Sequence, residues 1–300
     1  MLKVEHVTKY YGENKAVDDL SFTVKDGEIF GLLGVNGAGK TTTFRMINGL
    51  LDISSGTITI DGQPINYDLT NKLGFLTEER SLLTKLTVKE QVIFYGILKG
   101  MEEKEIVEKL DEWLNYFHIT EYKDRKIKEL SKGNQQKVQF ITAIINEPKL
   151  LILDEPFSGL DPINVQMFMD VIKKLKKQGT SIIFSSHRME HVEMFCEKLV
   201  VLVKGKSVLS GELKQIKKEY RKKNIHIVCD EVDITKLQKV SGVLEVIQNE
   251  NEIVVKISSD ENVSDVFDFI KNCKNVTKFA VEDATLNEIF LEKVGASYEE

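Results

Sequence analysis

An almost wholly apolar run, Glu28 to Leu33, passes directly into Gly34-Val35-Asn36-Gly37-Ala38-Gly39-Lys40-Thr41, with a helical segment beginning near Thr41. A strand apolar on both faces must be covered on both, which is the situation of a central strand in a parallel α/β sheet. The spacing G-x-x-x-x-G-K-[ST] then lets successive backbone N–H groups turn inward around phosphate oxygens, since glycine tolerates the backbone angles such a turn requires. Lys40 adds a point charge at the β and γ phosphates, and the Thr41 hydroxyl suits Mg²⁺. Thr42 follows at the same helix start. The loop from Gly34 to Thr42 is therefore a candidate nucleoside-triphosphate site.

The rest of the chain supplies the partners such a strand needs. Leu2 to Val7, Leu20 to Val24 and Ser54 to Ile60 read as strands, the last closed by the Asp61-Gly62 turn. From Thr87 to Phe117 the pattern is helical: Thr87-Val88-Lys89-Glu90 is a capping box, and Ile106, Val107, Leu110, Trp113, Leu114 and Phe117 share one helical face. A helix from Gln135 to Asn146, a strand from Leu150 to Leu153, a helix from Val165 to Lys177 and strands Ser181 to Ser185 and Lys198 to Val203 follow. Strands alternating with helices predict a parallel sheet with helices around it. Lys214 to Lys223 reads as a solvated helix and linker. Beyond it, short strands at 225–228, 243–247, 252–257 and 276–281, with helices at 263–270 and 286–294, predict a small α+β domain. The expected division is 1–221 and 222–300, with a helical subdomain at about 85–135.

Charge supports that boundary. The 300 residues carry 41 basic and 47 acidic side chains, a net −6. Nine basic against sixteen acidic residues fall from Lys222 onward, so the deficit belongs to the second part. An acidic chain of this kind is not a dedicated nucleic-acid binder. No apolar run approaches the roughly 20 residues that span a bilayer, the N-terminus lacks a signal-peptide core, and three scattered cysteines read as reduced thiols.

Two further elements carry chemistry. Leu150 to Leu153 ends in Asp154-Glu155, and carboxylates at the carboxyl end of a parallel strand stand at the crevice where α/β sheets bind ligands. Asp154 suits the Mg²⁺ shell, and Glu155 suits polarising a water for attack on a γ phosphate. Leu130-Ser131-Lys132-Gly133-Asn134 opens a helix, with Ser131 as N-cap beside free N–H groups.

In this order the motifs resemble the nucleotide-binding subunit of an ATP-binding cassette (ABC) transporter, over about Met1 to Leu213. GVNGAGKT is similar to that family's Walker A loop, LLILDE to Walker B, LSKGN to the signature usually written LSGGQ, and Ser158-Gly159-Leu160-Asp161 to the D-loop. The resemblance implies a P-loop NTPase of the ABC type, a mixed sheet with helices and a helical subdomain. It implies that Tyr11 stacks on adenine, that His187 contacts the γ phosphate, and that Ser131, Gly133 and Asn134 cover the ATP of a second copy. Glu78 aligns with a glutamine of the family that touches the metal and the membrane partner, and Lys132 and Asn134 depart from the signature. The implied function is Mg-ATP hydrolysis by a head-to-tail pair at the cytoplasmic face of a membrane, driving a separate transmembrane subunit. Glu78-Glu79-Arg80 and the ending Asp283 to Glu292 resemble bacterial drug, peptide and sodium exporters. The alternative is a soluble ABC ATPase acting on ribosomes or nucleic acid, whose second cassette or long coiled-coil insertion has no counterpart here.

Overall fold

The computed structural model describes residues 1–79 and 81–299; Arg80, the last residue of the exporter-like Glu78-Glu79-Arg80, lies outside the described residues. The chain forms two compact units, Met1–Ser210 and Gly211–Glu300. This division precedes the expected one because the lysine-rich stretch, expected as a solvated helix and linker, is a helix that belongs to the second unit. Leu213–Tyr220 is a helix that buries Leu213 and Ile216 and meets the final helix Leu286–Glu299.

In the first unit the strand Ile29–Gly34 is buried at every position. It lies third in a six-stranded sheet of order 206–212, 198–203, 29–34, 181–186, 150–153 and 73–76. The pairings from Lys198–Val203 across to Leu73–Leu76 are parallel. A second sheet is antiparallel, built by the hairpin Leu2–Tyr11 and Asn14–Val24 with Ser55–Ile60 and Gln63–Pro64. Its apolar positions, Leu2, Val4, Leu20, Phe22 and Ile58 among them, share one core with Leu32, Ile152 and Leu202 of the parallel sheet. Phe44 and Ile47 of the helix Lys40–Ile47 enter the same core. That burial fixes the helix and hence the loop at its N-terminus.

The helical region contains two helices rather than one, Val88–Leu98 and Glu103–Tyr116, because Gly100 takes a left-handed φ of 83° between them. The Thr87–Glu90 capping box forms with both reciprocal bonds. The next helix, Lys132–Ile144, begins at the Ser131 N-cap. Lys137 on this helix is buried and donates to Phe117 O at 3.1 Å, and burial holds its ammonium below the usual lysine range. The start of the helix is thereby tied to the end of Glu103–Tyr116.

The second unit is a four-stranded antiparallel sheet of order 243–248, 253–257, 223–228 and 278–283. Ile225, Ile227, Val255 and Ile257 form its core with Leu237, Val266 and Ile270.

Candidate active site

Glycines shape the phosphate loop where side chains cannot fit. Gly39 precedes the helix at φ 104°, and a Cβ there would approach Ala16 O to 2.7 Å; at Gly34, φ 153°, a Cβ would approach Leu202 O to 2.5 Å. Lys40 is buried and folds back over the loop, its Nζ 2.8 Å from Gly34 O and 3.3 Å from Val35 O. Asn36, Gly37, Ala38, Gly39, Lys40, Thr41 and Thr42 line a cleft of ≈ 480 Å³, and Glu78 lines it from the loop after Leu73–Leu76.

The strand ends bring the carboxylates beside Thr41 of this cleft. Asp154 N donates to Leu76 O at 2.8 Å, and Thr41 Oγ1 donates to Asp154 Oδ2 at 2.9 Å. Glu155 is buried with a left-handed φ of 49°, a conformation a non-glycine residue adopts only when its surroundings impose it. Its Oε2 lies 2.9 Å from His187 Nδ1, on a side chain that is 61% exposed. Thr41, Asp154, Glu155 and His187 thus form a contiguous polar arrangement at the carboxyl ends of three neighbouring strands. Thr41, Asp154 and Glu78 offer hard oxygen donors, the kind of set Mg²⁺ takes.

Ser185 joins this arrangement, and the sequence reading did not single it out. Its buried Oγ donates to Asp154 Oδ1 at 2.6 Å and accepts from Glu155 N at 3.0 Å, orienting both carboxylate residues. The available signal was a pair of serines ending an otherwise apolar strand. Asn14, Lys15, Ala16, Lys204 and Gly205 also line the cleft. Lys204-Gly205 reads in sequence only as a turn, so no local chemistry marks it.

Gly34, Val35, Asp154, Glu155 and His187 adjoin the cleft lining through bonds to Lys40, to Thr41 or to one another without forming part of it. Four further expected residues lie elsewhere among the described positions. Tyr11 ends its strand opposite Asn14, 47% exposed with Lys9 Nζ 5.5 Å from its ring centre, and does not line the cleft. Ser131, Gly133 and Asn134 open the helix Lys132–Ile144, Ser131 Oγ accepting from Asn134 N at 3.3 Å, and they too are outside the cleft lining. Asp161 of the D-loop caps the helix Pro162–Lys177, accepting from Asn164 N at 2.9 Å.

A P-loop between a parallel sheet and a buried helix, with strand-end carboxylates at its mouth, defines a nucleotide-hydrolysing cassette. A family model described as ABC transporter matches residues 17–158, and one described as ATP-binding protein DrrA1-3-like, C-terminal domain, matches residues 211–294. The chain is 49% identical over 299 residues to the uncharacterized ABC transporter ATP-binding protein YhaQ of Bacillus subtilis, covering 100% of both. It is 30% identical to the linearmycin resistance ATP-binding protein LnrL of the same organism, covering 98% of each. Among solved structures, the dimeric ABC transporter cassette MJ0796 is similar at TM-score 0.66 and 27% identity, covering 71% of this chain and 99% of that one. That cassette is also known in a post-hydrolysis state bound to ADP and Pi. This chain belongs to the ATP-binding proteins of ABC transporters and is an ATPase. Among the described residues no helix is long and apolar enough to cross a membrane.

Proposed function

We propose that the chain hydrolyses Mg-ATP as one half of a head-to-tail pair and energises an exporter through a separate membrane subunit at the cytoplasmic face. The observation that carries this reading is the division of its phosphate-binding groups. Lys40 and Thr41 line one cleft, and Thr41 bonds Asp154 beside Glu155, whereas Ser131 and Gly133 open a helix that does not line it. A site built from both sets needs two copies, each covering the nucleotide held by the other.

In the pair, Lys40 and the loop N–H groups hold the β and γ phosphates. Glu155 accepts a proton from the attacking water, and His187, bonded to Glu155 through Nδ1, supports the γ-phosphate end. Thr41, Asp154 and Glu78 would hold Mg²⁺, which would supply positive charge to the phosphate oxygens. The second serine contact, Ser185, keeps Asp154 and Glu155 in register.

The membrane subunit has a fitting surface. A cavity of ≈ 690 Å³ is lined by Leu50, Leu73, Phe75, Tyr95 and Lys99, and the helix that carries Tyr95 also exposes Phe94, Ile97 and Leu98. Burial holds the Lys99 ammonium below the usual lysine range. Export is supported by the similarity to a linearmycin resistance ATP-binding protein across nearly the whole chain.

Glu155→Gln tests the mechanism. It keeps size but removes the proton acceptor, so hydrolysis should fall by about 10²–10⁴-fold while ATP binding persists. Sizing should then find a dimer in Mg-ATP and a monomer without nucleotide, and Ser131→Arg on that background should abolish the dimer. Wild-type turnover in Glu155→Gln would remove Glu155 from its role.

A further inference from the structure

Thr77 and Glu78 are consecutive, yet they line different cavities: Glu78 the nucleotide cleft, Thr77 the larger one. One peptide unit joins them. Because that unit is planar, the direction of the Thr77 carbonyl constrains the direction in which Glu78 leaves it. The carbonyl is held by Gln139, whose Nε2 donates to Thr77 O and to Thr77 Oγ1, both at 3.0 Å. Thr77 Oγ1 in turn donates to Glu79 O and lies 2.9 Å from Ser81 Oγ. Farther along, Leu83 N donates to Gln91 Oε1 at 2.8 Å, and Gln91 Nε2 reaches Thr142 Oγ1 at 3.4 Å. Gln139 and Thr142 both sit on the helix that Ser131 caps. The segment bearing Glu78 is therefore hung from two buried glutamines.

Gln139 is 5% exposed, and its Oε1 has no hydrogen-bond partner among the described residues. An unsatisfied buried acceptor is a cost to folding. Methionine, similar in length and able to fill irregular space, would avoid it. Packing alone does not select glutamine here. We infer that Gln139 is a positioning residue of the ATPase: its amide clamps the Thr77–Glu78 peptide and so aims Glu78 at the metal–nucleotide position. This rests on the reading of Glu78 as a Mg²⁺ group, and it ties the aim of Glu78 to the helix that begins with the signature serine.

The test measures ATP-induced thermal stabilisation of the full chain, first in EDTA and then across a Mg²⁺ titration, for wild type, Gln139→Met, Gln139→Glu and Glu78→Ala. Each variant is referred to its own value in EDTA, which removes any change in intrinsic stability. The Mg²⁺ concentration at half effect should rise by about tenfold or more in both Gln139 variants, the range typical of outer-shell partners of metal ligands. Stabilisation by ATP in EDTA should stay at the wild-type level. If Glu78→Ala shifts the titration while both Gln139 variants follow wild type, Gln139 is a packing residue and the inference is overturned. If Glu78→Ala itself leaves the titration unchanged, Glu78 is not a metal group and the premise fails with it.

Discussion

Lysines face carboxylates in both units, but the lysine of the phosphate loop does not. In Gly211–Glu300, cations face carboxylates: Lys222 meets Glu292 at 2.5 Å, Lys278 meets Glu252 at 2.7 Å, and Lys256 meets Glu245 at 2.8 Å. In Met1–Ser210, the buried Lys40 meets neutral carbonyls of its own loop. A lysine against a glutamate has little net charge left to offer, whereas one against carbonyls keeps its full attraction for an anion. The position of a charge relative to its neighbours, more than its presence, separates a binding residue from a solvated surface. The contrast can be broken by experiment. Lys40→Ala should weaken ATP binding by about 1.5–3 kcal/mol, the value of a hydrogen bond to a charged group. Lys222→Ala should leave ATP affinity at the wild-type value, since exposed ion pairs contribute about 0–1 kcal/mol to stability alone. Calorimetric titration of both variants with ATP decides it, and equal losses would end the distinction.

A smaller effect is expected where the second unit is best organised. Glu288 Oε2 accepts from Thr285 N at 2.9 Å and from Asn224 Nδ2 at 2.8 Å, while Thr285 Oγ1 accepts from Glu288 N at 3.2 Å. This is a capping box at the start of the final helix, with Leu286 and Ile289 buried behind it. Burial alone would raise the Glu288 pKa, but the bonds from Thr285 and Asn224 and the nearby Lys256 outweigh it and hold the carboxyl below its ordinary value. A depressed carboxyl stabilises the fold above its unfolded pKa, and that contribution is lost as pH falls through the folded value. Glu288→Ala should therefore destabilise the unit by about 1 kcal/mol at neutral pH. The difference from wild type should shrink as the pH falls through and below the ordinary carboxylate range. Thermal unfolding at pH 7 and pH 3 measures both, with ATP binding as the unchanged control.

This capping box also shows what the sequence could and could not disclose. The ending Asp283 to Glu292 was legible as a resemblance to exporters, but its residues are explained within the unit as a helix start and core. The phosphate loop and Asp154-Glu155 were legible because their chemistry lies in consecutive residues after a buried strand, so local pattern implies local geometry. Ser185 and Gln139 were not, since each acts through a bond to a residue 31 or 62 positions away in sequence. Tyr11 marks the converse case. Its role came from resemblance alone: at the strand end opposite Asn14, which lines the cleft, it carries an exposed ring beside Lys9 that no local pattern marks as base-stacking. The helix at Leu213–Tyr220 was legible, but charge composition cannot tell which unit a helix burying Leu213 and Ile216 joins, so the division falls ahead of the one expected near 222.

The smallest expected effect on stability is also the one that best separates folding from function. Gly133 lies in the first turn of Lys132–Ile144, and a Cβ there would meet nothing within 4 Å. Neither a positive φ nor a close neighbour requires glycine, in contrast to Gly34 and Gly39. Alanine is the better helix former by about 0.8–1.0 kcal/mol in a helix interior. Gly133→Ala should therefore raise the melting temperature of the isolated chain slightly and leave its ATP affinity unchanged. In a head-to-tail pair the same methyl would stand between this helix start and the phosphates held by the other copy. On the Glu155→Gln background it should abolish the ATP-dependent dimer seen by sizing. A variant that is stabilised, binds ATP and fails to pair would locate the requirement for glycine outside the folded chain. If the dimer forms undiminished, the partner's nucleotide does not approach Gly133, and the site must be completed by Ser131 alone or by another surface.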